Sequence, residues 1–125
     1  MRMLTIAFAS FFALIAPGLA GDVSGRGPNG GRVADAANMH VEFVSKGADV
    51  FVYTYDHDNK PVASAGITGK VTVQEKGQTR TAELMPQETN QLSGKLNAPL
   101  GSGARVIVSL TPKNGKPIQA RYTAN

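Results

Sequence analysis

The sequence predicts an all-β domain, an antiparallel sandwich of about seven or eight strands. Three observations predict it. Short runs rich in Val, Ile, Thr, Tyr and Phe recur from Arg32 to the end of the chain, the composition of pleated, half-buried strands. Clusters of Gly, Pro, Asn and Asp interrupt these runs roughly every 8–12 residues, the spacing of short sandwich strands. No segment after residue 20 combines a helical apolar period with capping residues. The same punctuation also fits a barrel; the sandwich is the expected arrangement.

Met1-Arg2 is a short basic start, and 3–16 is apolar apart from Thr5 and Ser10. Pro17-Gly18-Leu19-Ala20 then offers small residues ahead of a cut before Gly21. This is the layout of a secretory signal peptide, too short to cross a bilayer, so residues 1–20 are expected to be removed and the protein to work in the periplasm or outside the cell. The segment 21–31 is dense in glycine, has no apolar period and reads as a flexible arm. The domain proper is expected over 32–125, with strands near 32–35, 38–45, 50–57, 69–76, 79–85, 91–97, 104–111 and 117–123. Alternation within these strands marks Val41, Phe43, Val50, Val52, Val71, Val73, Leu84, Leu96, Val106, Val108 and Leu110 as core. The layout is immunoglobulin-like.

The register of the hairpin over 38–57 can be worked out from its turn. If Gly47-Ala48 is a two-residue type II′ loop, Lys46 pairs with Asp49, Phe43 with Val52, Val41 with Thr54 and His40 with Tyr55. His57 then lies two residues further along the face that carries His40. A three-residue loop shifts the pairing by one and separates the two histidines onto opposite faces.

Composition removes several function classes. The chain has no Cys, so disulfides, thiol redox chemistry, cysteine nucleophiles and thiolate metal centres are excluded. The net charge of +4 comes from Lys and Arg scattered without a long run, which does not suggest nucleic acid as a partner. With no Trp and 6% aromatic residues, a sugar-binding platform of stacked rings is not expected. Ser45 and Ser64 lack a nucleophile-elbow sequence, and the expectation is a non-enzyme.

Both histidines of the chain, His40 and His57, fall in that one hairpin. Imidazole suits Cu(II) and Zn(II), and Glu42, Asp56 or Asp58 could add an oxygen ligand to an open divalent-ion site. Met39 projects to the face opposite His40. The plainer alternative is a pair of exposed histidines beside a turn whose aspartates serve the backbone. The loop over 25–32 offers amides and two guanidiniums to an anion, but no phosphate-loop ending or helix follows it, which favours a linker.

The stretch Gly27-Pro28-Asn29-Gly30-Gly31-Arg32-Val33, followed by His40-Val41-Glu42-Phe43-Val44, resembles the start of small exported proteobacterial proteins. It is similar too to the periplasmic head of heavy-metal efflux adaptors, where the pattern reads G-P-H-G-G. Tyr55-Asp56-His57-Asp58-Asn59-Lys60-Pro61-Val62 through Gly69-Lys70-Val71-Thr72-Val73 resembles the same group and, more distantly, immunoglobulin-like domains of YtkA/FixH type. The resemblance implies an exported β-sandwich linked to metal handling. The family's loop histidine is Asn29 here, which leaves His40 and His57 as the imidazoles carried over. Two functions are therefore expected: a periplasmic copper or zinc carrier or resistance accessory, or an envelope protein-interaction domain without metal.

Overall fold

The computed structural model describes residues 23–124; the leader and its cut before Gly21 lie outside them. Nine strands form within this span: β1 (Val23–Arg26), β2 (Arg32–Ala36), β3 (Met39–Lys46), β4 (Asp49–Tyr55), β5 (Thr68–Glu75), β6 (Gln78–Pro86), β7 (Gln91–Lys95), β8 (Arg105–Thr111) and β9 (Ile118–Thr123). Their hydrogen-bonded order is β9-β8-β5-β6-β7-β4-β3-β2-β1, and every pairing is antiparallel. The protein is thus all-β, built as one curled sheet. Among the described residues no helix is long and apolar enough to cross a membrane.

The strands follow from local chemistry. Gly47 sits at φ +60, the first position of a two-residue turn, and the β3–β4 register is the one that turn dictates: Lys46 opposite Asp49, Phe43 opposite Val52, His40 opposite Tyr55. Lys76-Gly77 closes β5 onto β6 with both residues at positive φ. One face of each strand points inward. All eleven residues expected in the core are buried, joined by Ala34, Ile67, Leu92, Ala104 and Tyr122. Burying a Val or Leu side chain contributes about 1.5–3 kcal/mol, and with no disulfide this core carries the stability.

Curling brings β9 back against β2 and β3. Tyr122 donates its hydroxyl to the Val41 carbonyl at 2.6 Å and stacks obliquely on Phe43, ring centroids 5.4 Å apart. Burial pushes the Tyr122 hydroxyl well above the usual tyrosine range, and the nearby Glu42 charge pushes the same way.

The glycine-dense segment differs from the expected arm. Val23–Arg26 pairs with β2, with a register shift between Val23 and Gly25, and 27–31 is a tight turn closed by Gly27 and Gly31 backbone bonds. Its glycines serve contact: a Cβ on Gly27 would meet the Glu42 carboxyl at 2.2 Å, and one on Gly31 would meet the Phe43 carbonyl oxygen at 2.2 Å.

Candidate functional site

Alternation on β3 sends Val41 and Phe43 inward and His40 and Glu42 to the outer face, opposite Tyr55 and Tyr53 of β4. Beyond Tyr55 the chain turns over 56–60, and Asp56 builds that turn. Its Oδ1 accepts the backbone N–H of Asp58 at 2.8 Å and of Lys60 at 2.9 Å, while its own N–H donates to the Lys60 carbonyl. The Lys60 N–H bond, with smaller help from that of Asp58, holds the Asp56 carboxyl below its usual range. Asn59 takes φ +63, a left-handed conformation that asparagine tolerates.

The turn sets His57 beside His40. The two rings stand edge to face, with centroids 5.6 Å apart and planes at 85°. Asn59 Oδ1 lies 3.0 Å from His40 Nδ1, and Asp35 Oδ1 lies 3.3 Å from His40 Nε2. Asp35 is the residue directly opposite His40 on β2. Pro28, Val33, His40, Tyr55 and Asn59 line an open groove here. Two imidazoles that bind one ion tetrahedrally at 2.0–2.1 Å place their centroids about 5 Å apart, close to the observed spacing, but here both ring nitrogens of His40 face other partners, Asn59 at Nδ1 and Asp35 at Nε2.

Glu42 is committed elsewhere. Its side chain is fully buried on the outer face, covered by the turn 27–31. Oε2 accepts the backbone N–H of Asn29 at 2.9 Å and of Gly31 at 2.8 Å, and Oε1 accepts Asn29 Nδ2 at 3.0 Å. Asn29 Nδ2 also reaches the Tyr55 hydroxyl at 3.0 Å. Burial raises Tyr55 above the usual tyrosine range, and the Glu42 charge adds to the shift.

Of the five residues expected as ligands, the fold therefore brings His40 and His57 together. Glu42 anchors the glycine turn instead, because a buried carboxylate demands donors and the backbone amides of 29 and 31 supply them. Asp56 serves its own turn, and Asp58 is exposed and contributes its N–H to Asp56. Among the described residues no group of three or more His, Cys, Asp or Glu side chains is arranged to hold an ion. Asp35 and Asn59 escaped the sequence reading. Asp35 was within reach of it, since a two-residue turn at Ala37-Asn38 pairs it with His40. No protein family, no curated protein and no solved structure matches the chain.

Proposed function

We propose that the protein is an exported, non-catalytic β domain that holds a divalent copper or zinc ion at the His40–His57 pair, as a periplasmic carrier or resistance accessory. The observation that carries the proposal is the ring pair, one imidazole on the sheet face and one on the adjoining turn, with centroids 5.6 Å apart. Neutral imidazole nitrogen suits both metals. Asp35 Oδ1, which lies 3.3 Å from His40 Nε2, is the oxygen donor this reading takes in place of Glu42. An ion at His40 takes the place of the contact that the coordinating ring nitrogen makes now, with Asn59 at Nδ1 or Asp35 at Nε2, and a fourth position stays open to water or to a receiving protein. An open site of this kind releases its ion more readily than a closed one with four protein ligands.

Export is supported by the basic, apolar and small-residue order of residues 1–20. An immunoglobulin-like sandwich is supported by Val41, Val50 and Val52 of β3 and β4 sharing one core with Val71, Val73, Val106 and Val108 of β5 and β8. Calorimetric titration with Cu(II) and Zn(II) tests the function. The expected outcome is a saturable site of one ion per chain, weakened by acid as imidazole protonates and lost in H40A and H57A. Absence of heat with both ions would leave the metal-free envelope interaction domain as the function.

A further inference from the structure

The curl of the sheet leaves a seam where β2 meets β9, and that seam is basic. Two adjoining grooves run along it and share Arg32 and Thr123. Arg26 lines the first groove; Gln74, Arg105 and Arg121 line the second. Neither is lined by an acidic side chain. The sheet register explains the convergence: Arg105 on β8 stands opposite Gln74 on β5 and Thr123 on β9, and Arg121 stands opposite Ile107, so all project from one face.

These guanidiniums are unneutralised. Among the described residues two cations form ion pairs, Arg80 with Glu75 at 2.6 Å and Lys95 with Asp49 at 3.2 Å. By contrast, no side-chain partner is found for Arg32 or Arg105 among the described residues. Arg121 reaches only the Gln119 amide oxygen at 3.3 Å, and Arg26 only the Gly30 carbonyl at 3.2 Å. Like charges gathered in one groove repel unless an anion joins them. The guanidinium fork matches phosphate and carboxylate oxygens, but a phosphate group brings a charge of about −1.5 to −2 and answers more than one arginine. Thr123 and Gln74 add neutral hydrogen-bonding groups beside the arginines.

We propose that the seam is a binding groove for a phosphate-bearing ligand, held by Arg32, Arg105 and Arg121 and independent of the histidine pair. Amide shifts in an isotope-labelled sample titrated with inorganic pyrophosphate test it, alongside flotation with phosphatidic acid vesicles, whose headgroup is a phosphate monoester, against phosphatidylcholine controls. Saturable shifts at Arg105, Arg121 and Thr123 identify a soluble phosphate ligand. Flotation with the anionic vesicles but no pyrophosphate shifts identifies a lipid phosphate headgroup. In either case the R105A/R121A variant loses about tenfold or more in affinity, and R105K/R121K, which keeps the charge but not the fork, falls between. K113A/K116A removes the same charge from an exposed loop outside both grooves and leaves binding unchanged. Absence of both readouts overturns the proposal, as does equal weakening by K113A/K116A, which reduces binding to net charge alone. Preserved peak dispersion in each variant shows that folding is not the cause.

Discussion

Replacing Glu42 with alanine removes a fully buried carboxylate and, with it, the acceptor for Asn29 N–H, Gly31 N–H and Asn29 Nδ2. Asn29 is exposed, so its donors regain water; Gly31 is buried, and its N–H does not. An unsatisfied buried donor costs about 1–3 kcal/mol, and hydrogen bonds to a charged group are worth about 1.5–3 kcal/mol each without simple additivity. Losing the Cγ methylene adds about 0.8 kcal/mol. The expected destabilisation for Glu42→Ala is about 3–5 kcal/mol, a large share of the roughly 5–15 kcal/mol typical of a domain. Glu42→Gln keeps the stem and one acceptor oxygen for the two backbone amides, but turns an amide toward Asn29 Nδ2, and should cost about 1–2 kcal/mol. Asn29→Ala leaves both backbone bonds in place and should cost about 1 kcal/mol. Urea unfolding followed by circular dichroism at pH 7 measures all three, with unchanged slopes confirming a shared mechanism. If Glu42→Ala falls within about 0.5 kcal/mol of wild type, the glycine turn is not held by this carboxylate and the account of the β1–β2 turn fails.

Gly27→Ala should destabilise although it lowers the entropy of the unfolded chain, because the new Cβ meets the Glu42 carboxyl at 2.2 Å; thermal unfolding shows it as a lowered midpoint. Tyr122→Phe should cost about 1 kcal/mol through the lost bond to Val41, read by the same urea assay. The folded Tyr122 hydroxyl resists ionisation, so its contribution is complete below the ordinary tyrosine value and fades as pH rises above it. An absorbance titration should accordingly find it silent until the chain unfolds. Asp56 and Glu75 are shifted the other way, Asp56 chiefly by the Lys60 N–H and Glu75 chiefly by its Arg80 bond. Their contribution is present above the ordinary carboxylate range and is lost as pH falls through their lowered values; D56N and E75Q should each flatten the acid limb of stability against pH. For the metal, H40A and H57A should each abolish most of the binding heat, and the double variant should add little.

Much of this architecture is legible along the chain because it is decided locally. The period of two in Val41-Glu42-Phe43 or Val106-Ile107-Val108 selects the buried face before any partner strand is known. Gly47-Ala48 is legible too, since a two-residue turn admits one register and that register sets His40 opposite Tyr55, whereas the strand stops at Tyr55 and it is the turn over 56–60 that brings His57 beside His40. Other features depend on what the curled sheet lays over a strand. Alternation assigns Glu42 to an outer face but cannot say that the turn 27–31 covers it, and a covered carboxylate becomes an anchor where an open one would be a ligand. Strand β1 is weak in sequence because its Ser, Gly and Arg residues pair only once β2 offers a free edge. Arg32, Arg105 and Arg121 are far apart in the chain and meet because the sheet closes β2 against β9. Side-chain periodicity is a property of a few consecutive residues, and the identity of the surface facing them is a property of the whole sheet.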